Sequence, residues 1–511
     1  MSPTQKIKNS LFSILKKKET YFCAFLIFFN LITGRNAFKE NRIGGFKYLF
    51  IVSIVIEIAL LFFVAKFKNA PKEKLFLIFC IPIGLIYILT LPCGQSPDDY
   101  THFARIYGII EGSFVVPHEG EYANGGKMPK DAINSFSIAT ADGNYKKIAN
   151  NIFKPKMDEE EYFSYPASAL YNPACYLPQI IGVFIGKIFS SSILLMAYLG
   201  RLFNFVVFVA LLYFSIKLIP MYKNFLLLLA CLPITIQEAT SLAPDSLAIG
   251  LTFFITSFVL YLTFQKNKKI SNKELIILYA SAIMIGFCKI VYLPIILLYF
   301  IIPKTRFGGM KHKIFHAAFL AILVIGINTI WLVISSKYLI EIRDGVNSAE
   351  QAVFIVHHPF AFLEILVITI DKMLLFYIQT GLGMYLGPLS IQMPNLYFFI
   401  TIIFIVLILA QNSDSLKITS QNKLLVIVTF SAICLLIFTS LFLQWTPVGG
   451  GIIEGVQGRY FLPILPLVPI IINPTKKPKA IRQSFISTQN IIYYSIFFNM
   501  SALTMIVAAN I

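Results

Sequence analysis

The residues best suited to chemistry lie in one polar stretch of the chain, residues 96–107, which directly follows an apolar run. Asp98, His102 and Arg105 fall at positions i, i+4 and i+7, so a helix would hold them on one face. Asp99 places a second carboxylate beside the first. A carboxylate can accept a proton as a general base, and a guanidinium binds phosphate. The spacing therefore predicts an acid pair, an imidazole and a guanidinium held together at a membrane surface.

The same stretch also has the pattern of an ordinary helix start. Ser96 is a favourable N-cap, Pro97 suits the first helical position, and Asp99 follows the cap by three residues, as in a capping box. In this alternative the acids only satisfy free N–H groups and the helix dipole. The spacing alone does not decide between the two interpretations.

The composition is that of a membrane protein. Of the 511 residues, 57% are hydrophobic and 13% are charged, whereas a soluble domain carries about twice that charged fraction. Many apolar runs reach the length of about 20 residues that spans a bilayer, and they lack the alternation of a β-barrel. We therefore expect an all-α polytopic integral membrane protein, residues 1–511 forming one membrane domain with roughly 11–13 membrane segments.

The net charge of +18 follows the positive-inside pattern, because Lys and Arg collect in short loops between apolar runs. This distribution indicates contact with membrane lipid and not with nucleic acid. The lysines of residues 66–74 predict a cytoplasmic loop and a cytoplasmic N-terminus. Asp98 and Asp99 would then face the outside of a multi-pass protein of the cell membrane.

Two polar loops and two irregular apolar segments should position the site. Residues 95–170 are predicted to form a large extracytoplasmic loop that carries the Asp-Asp pair, and residues 445–460 a C-terminal outer loop. Residues 173–189 contain Pro and Gly and predict a re-entrant or interfacial segment. Residues 275–302 predict a broken helical hairpin with Lys289 deep in the protein, where a charge indicates function. Alternatively, Lys289 snorkels to the membrane interface.

With this topology the unusual polar residues converge on the outer side. Glu238 and Asp245 are also predicted to lie on the outer side, although both acids could instead cap helix ends. His357 and His358 fall in a third outer region, where they bind substrate or lie in a solvated loop. We expect six residues to bind an anionic lipid headgroup and its sugar: His102, Arg105, Asp245, Lys289, Arg459 and Tyr460.

Several motifs carry a resemblance to a known family. PDDYTHFARIYGIIEG resembles the PDE-x-x-HF-x-RAY pattern of the bacterial predicted-membrane-protein family called domain of unknown function 2142. VQGRYFLPILPL resembles the C-terminal GVQGRYFLP signature of that family, and NPACYLPQIIG and SLAPDSLAIG resemble its middle elements. The resemblance covers about residues 75–475. The usual Asp-Glu of the family is Asp-Asp here, which keeps two carboxylates and shortens one of them by a methylene.

This family is similar in architecture to the C-type (GT-C) glycosyltransferases, and the resemblance implies a GT-C-like helical bundle. It also implies a polyprenyl-phosphate sugar as donor and an extracytoplasmic glycan or glycolipid as acceptor. Asp98 or Asp99 would be the catalytic base, and the other would orient the site or hold a divalent cation, Mg²⁺ or Mn²⁺. Arg105, Lys289 and Arg459 would stabilise the leaving phosphate. The alternatives are a non-enzymatic translocator of lipid-linked saccharides and a polysaccharide polymerase or ligase.

Overall fold

The molecule is a bundle of helices, and its described strands form two small antiparallel sheets of two strands each. The computed structural model describes residues 46–116, 124–141, 145–154, 159–190, 192–265, 268–336, 343–411, 416, 418–472 and 486–510, with residues 24, 27, 28 and 30. The helix predicted near residues 20–34 and the N-terminus that precedes it lie largely outside the described residues. The structure confirms the predicted all-α class.

The first half of the bundle contains two long helices, a mixed polar region and then a second group of helices. In chain order the elements are α1 Phe46–Lys66, α2 Lys72–Thr90, α3 Asp99–Ile110, β1 Gly125–Pro129, α4 Lys130–Ala141, α5 Tyr145–Asn151, β2 Glu160–Ser164, α6 Pro166–Ala169, the 3₁₀ helix Pro173–Tyr176, α7 Leu177–Phe189, α8 Ile193–Leu218, α9 Lys223–Ala230, α10 Pro233–Ala239 and α11 Asp245–Phe264.

The second half contains the broken helices that reach the site. Its elements are α12 Asn272–Cys288, the 3₁₀ helices Ile290–Ile301 and Lys304–Phe307, α13 Met310–Ser335, α14 Ser348–His357, α15 Pro359–Gly381, β3 Tyr385–Leu386, β4 Ile391–Gln392, α16 Asn395–Gln411, α17 Ser420–Gln444, the 3₁₀ helix Gly458–Leu467, α18 Val468–Ile472 and α19 Thr488–Ala509. Side-chain N-caps begin several of these helices, for example the capping box of Ser271 and Glu274 at α12.

Six of the described helices are long and apolar enough to cross a membrane: α2, α8, α11, α13, α17 and α19. The pair α14 and α15, bent by 109°, adds a seventh if it forms one span. Four shorter apolar segments accompany them: Pro173–Phe189, Ile290–Ile301, Asn395–Ala410 and Gly458–Ile472. Over the part of the chain that the structure describes, several of the predicted membrane segments therefore form short or 3₁₀ helices and not single long ones.

Helix α7 forms most of the segment that the sequence predicts to be re-entrant or interfacial. Its 13 residues rise about 20 Å, which is less than the hydrocarbon thickness of about 30 Å. Leu177, Ile181 and Ile188 lie exposed on one face, while the opposite face packs against α8. A Cβ at Gly182 would overlap the backbone of Leu199, so the glycine allows this close packing.

The polar region 95–170 is folded and not an extended loop over its described parts. It contains α3 to α6 and the two-stranded sheet of β1 and β2, in which Gly125 pairs with Ser164. Tyr100 of α3 packs against this sheet, with its ring centroid 4.3 Å from that of Phe163 and 5.2 Å from that of Phe136 in α4. These contacts hold α3 against the rest of the polar region.

The predicted break at Lys289 is confirmed. Helix α12 ends at Cys288, Lys289 is extended, and a 12-residue 3₁₀ helix that contains Pro294 follows. The proline lacks the N–H that an α-helix needs, and 3₁₀ runs of this length are uncommon. The irregular segment therefore brings the Lys289 side chain to the middle of the polar residues described below.

A glycine positions Arg459 at the start of the last 3₁₀ helix. A Cβ at Gly458 would overlap the carbonyl oxygen of Tyr377 and the nitrogen of Gly381, both in α15. The Gly458 N–H also donates to Oγ1 of Thr380 at 2.8 Å. This contact between backbones sets the depth at which Arg459 enters the site.

We expect Gly458→Ala to lower the free energy of unfolding by about 1–3 kcal/mol, because the new methyl group forces two backbones apart. Thermal unfolding in detergent measures the loss. Gly326→Ala is the matched control, since a Cβ at Gly326 in α13 meets nothing within 4 Å and alanine favours a helix. Equal stability of the two variants would contradict the close approach at Gly458.

Candidate functional site

A cavity of about 330 Å³ lies where the polar region meets the broken helices. Four of the predicted site residues line it: Asp98, His102, Lys289 and Tyr460. Its other lining residues come mainly from α12, α13 and α17 and from Ala167–Tyr171. The structure thus brings together residues that are far apart in the chain.

Asp98 is the acid that reaches the cavity. Its side chain is 67% exposed, and Oδ2 lies 3.9 Å from Nη2 of Arg459. The prediction that Ser96 caps the helix is wrong. Helix α3 begins at Asp99, and Asp98 occupies the cap position in a left-handed conformation (φ 59°) without a side-chain cap bond. The chain turns between Ser96 and Asp99, whose N–H donates to the Ser96 carbonyl at 3.3 Å, so Pro97 lies in a turn.

Asp99 is buried and fully engaged. One carboxylate oxygen accepts the N–H of Leu242 at 2.8 Å, and the other accepts the N–H of Gly94 at 3.1 Å and pairs with Arg201. Arg201 is also fully buried and donates to the carbonyl oxygen of Leu91 at 2.7 Å. Asp99 therefore ties the start of α3 to the end of α2 and to α8.

Arg201 is a residue that sequence analysis did not single out. It lies inside an apolar run, at a position where a charge is expensive unless it is paired. A charged residue in such a run was the signal that identified Lys289, and the same signal applied to Arg201. Its partner Asp99 lies 102 residues away in the chain.

The two neighbouring acids do not fit a shared divalent cation. A divalent cation held by both would need free carboxylate oxygens on each, and the oxygens of Asp99 already accept hydrogen bonds and the Arg201 ion pair. Among the described residues there is also no group of three or more His, Cys, Asp or Glu side chains arranged to hold a metal ion. We therefore derive no catalytic step through a metal.

Two ion pairs flank Tyr460. Nζ of Lys289 lies 2.5 Å from Oδ1 of Asp245 and 4.8 Å from the Tyr460 ring centroid. Nη1 of Arg459 lies 3.2 Å from Oε1 of Glu238, and its guanidinium carbon lies 5.3 Å from the same ring. Lys289 lines the cavity, whereas Arg459 is outside the lining and next to two lining residues, Asp98 and Tyr460. The site therefore contains two cations, each paired with a carboxylate: Arg459 is buried, and Lys289 is partly exposed.

His102 lies in the cavity lining with its ring almost completely buried. Its Nδ1 is 2.7 Å from the hydroxyl of Tyr176, and its ring centroid is 5.6 Å from that of Tyr171. Burial lowers the pKa of His102 below its usual value, and this effect exceeds the opposing influence of Asp98 and the other nearby carboxylates. The imidazole is therefore neutral at pH 7.

The lowered pKa of His102 predicts that acid destabilises the protein. The unfolded chain binds a proton near the ordinary pKa of 6.5, and the folded chain binds it only at lower pH. The stability present above pH 6.5 is therefore lost as the pH falls below that value. We expect His102→Gln to reduce the slope of the unfolding midpoint between pH 7.5 and pH 5. The exposed His312, changed to Gln, is the control, and equal slopes in the two variants would contradict the prediction.

Three further predicted residues lie outside both the cavity lining and the two ion pairs: Arg105, His357 and His358. Arg105 is buried, and its guanidinium donates to the carbonyl oxygens of Ser113 at 2.9 Å and Phe114 at 2.8 Å. It therefore holds the loop that follows α3. His357 and His358 are exposed at the bend between α14 and α15.

An apolar groove of about 580 Å³ adjoins the cavity. Ile290 and Val291 line both spaces, so the groove begins where the cavity ends. The groove follows the 3₁₀ helix Ile290–Ile301 between α13 and α17. Exposed side chains on its lining, including Phe300 and Ile325, face the surface that contacts lipid in a membrane protein. The arrangement therefore suits an amphiphile with a polar head and an apolar tail.

Comparison with known proteins agrees with the motifs. No curated protein and no solved structure matches the chain. The family model described as Predicted membrane protein (DUF2142) matches residues 81–468, more than half of the chain. The matched range begins within α2 and contains the cavity residues from Asp98 to Tyr460. The chain therefore belongs to the DUF2142 family of predicted membrane proteins.

Proposed function

We propose that this protein is a GT-C-type glycosyltransferase of the cell envelope, which transfers a sugar from a polyprenyl-phosphate donor to a glycan or glycolipid acceptor. The observation that carries the proposal is that the polar cavity and the apolar groove adjoin. A cavity with a carboxylate and an ammonium group continues into an apolar groove through Ile290 and Val291. A sugar phosphate fits the first environment, and a polyprenyl chain fits the second.

Asp98 acts as the general base in this proposal, because it is the exposed acid of the predicted pair and lines the cavity. The acceptor hydroxyl gives its proton to the Asp98 carboxylate as its oxygen attacks the anomeric carbon. The new bond forms between that oxygen and the carbon, and the bond from the carbon to the phosphate oxygen breaks. Polyprenyl phosphate leaves with the electron pair, and the single displacement inverts the anomeric centre.

The leaving phosphate gains negative charge in this step, and fixed cations stabilise it. Lys289 is the cation in the cavity lining, and Arg459 adds positive charge behind it. Asp245 and Glu238 hold these two side chains in place. Asp99 orients α3 and with it Asp98, and Tyr460 contacts both cations.

The charge distribution supports a site outside the cell. The lysine-rich residues 66–74 lie at the start of α2, and Asp98 follows its end. Because basic loops stay in the cytoplasm, α2 would deliver the cavity to the outer side of the membrane. The N-terminus is then cytoplasmic.

Transfer from defined donors tests the proposal. Protein in lipid nanodiscs is incubated with radiolabelled polyprenyl-phosphate sugars and an extract of envelope glycans, and labelled glycan is measured. We expect label in the glycan fraction and release of polyprenyl phosphate. A donor that binds, is never consumed and crosses vesicle membranes containing the protein would overturn the enzyme proposal in favour of a translocator.

A further inference from the structure

The chain contains two tryptophans among its 511 residues, and both line the cavity. Trp331 lies in α13, and Trp445 follows the end of α17. Tryptophan at a membrane surface often serves as an anchor among lipid headgroups. Here both indole rings line the same cavity and do not form part of an aromatic belt around the protein.

Local contacts hold both rings. Nε1 of Trp331 donates to the carbonyl oxygen of Leu170 at 2.9 Å, so this indole is fixed to the polar region. The Trp445 ring lies against the backbone of Gly455, where a Cβ would overlap the ring. Gly455 also has φ +78°, a conformation that suits glycine. The two rings are therefore preformed surfaces and need little ordering when a ligand binds.

Beside the two rings, the cavity wall combines uncharged polar side chains with apolar ones. Helices α13 and α17 and the residue that follows α13 contribute amides and hydroxyls to the lining: Asn328, Ser335, Ser336, Ser440 and Gln444. The same helices contribute the apolar Leu332, Ile437 and Leu441. The charged lining residues, Asp98 and Lys289, come from other segments. Flat aromatic faces beside hydroxyl and amide groups match a sugar ring, which has apolar C–H faces and a rim of hydroxyl groups.

We propose that this wall binds the ring of an uncharged sugar, and that Trp331 and Trp445 determine which sugar is accepted. The inference rests on the proposed function and names the class of sugar for the same site. An acidic sugar would bring a carboxylate to a wall without a cation, and Lys289 is already paired with Asp245. Burial of that charge without a partner disfavours its binding.

The tryptophans provide the test, because all indole fluorescence of the chain arises at this cavity. The protein is kept in a detergent without a sugar headgroup and titrated with citronellyl phosphate esters of glucose and of glucuronic acid. We expect the glucosyl ester to change the emission in a saturable way. The glucuronyl ester should bind at least about tenfold more weakly.

Substitutions of Trp445 distinguish stacking of the sugar on the ring from a general effect on the fold. Trp445→Ala should weaken binding of the glucosyl ester by about tenfold, with Trp331 as the remaining reporter, and Trp445→Phe by less than about threefold because an aromatic face is retained. Tyr213→Phe, outside the cavity lining, should leave binding unchanged. Equal binding of both esters, or no effect of Trp445→Ala, would overturn the inference and leave the transfer proposal standing. If neither ester binds, both proposals are overturned.

Discussion

Asp98→Asn is expected to reduce sugar transfer by a factor of about 10²–10⁴, the usual contribution of a general base. The amide cannot accept the proton of the acceptor hydroxyl, although it has nearly the same shape as the carboxylate. Asn is chosen because Asp98 has a left-handed conformation (φ 59°) that Asn also adopts readily. The side chain is largely exposed, so the free energy of unfolding should stay within about 0.5 kcal/mol of the wild-type value.

Initial rates of transfer at saturating donor give the measurement, and thermal unfolding shows that the variant is folded. Asp344→Asn is the matched control, because Asp344 is an exposed acid that does not line the cavity. Its rate should equal that of the wild type. If Asp98→Asn keeps more than a tenth of the wild-type rate, the base is a different residue and our assignment fails.

The largest effect on stability is expected at the buried pair of Asp99 and Arg201. Asp99→Ala leaves the guanidinium of Arg201 buried without its counter-charge and removes the acceptor for the N–H of Leu242. The loss of one partner of a buried pair costs about 3–5 kcal/mol. Arg201→Ala should be similarly harmful, and the double variant should lose less than the sum of the two single losses.

Denaturant unfolding in detergent provides the free energies for this double-mutant cycle. The control is the exposed pair of Arg343 and Glu454, whose side chains are 44% and 43% accessible. Exposed pairs contribute about 0–1 kcal/mol, so Arg343→Ala should be mild. A loss for Asp99→Ala as small as that for Arg343→Ala would show that Asp99 is not the anchor of α3.

The sequence predicts well those features that depend on local pattern and on hydrophobicity. The apolar runs predict the all-α membrane class, and Lys289 with Pro294 predicts the broken helix after α12. Both signals are local, because a charge or a proline in an apolar run changes the backbone at that position. The convergence of Asp98, Lys289 and Tyr460 followed from placing all the polar ends of the helices on one side.

Local sequence patterns did not predict the features that depend on partners far away in the chain. Ser96 looks like an N-cap, but the position of Asp99 is set by Arg201 and by the backbone of Leu242. Arg105 lies on the same predicted face as Asp98, yet its guanidinium binds carbonyl groups a short distance further along the chain. Helix propensity and capping patterns depend on one segment of the chain. The position of a buried charge depends instead on its partner, which can be far away in the sequence.

The apolar groove that meets the cavity at Ile290 has a consequence for kinetics. Exposed residues such as Phe300 and Leu436 border it, so the lipid-linked donor of the proposed reaction would reach the site by diffusing within the bilayer plane. The relevant concentration is then the mole fraction of donor in the membrane and not its amount per volume of buffer. Adding plain phospholipid at constant total donor should therefore slow turnover by surface dilution, while diluting the whole suspension should leave the rate per protein unchanged.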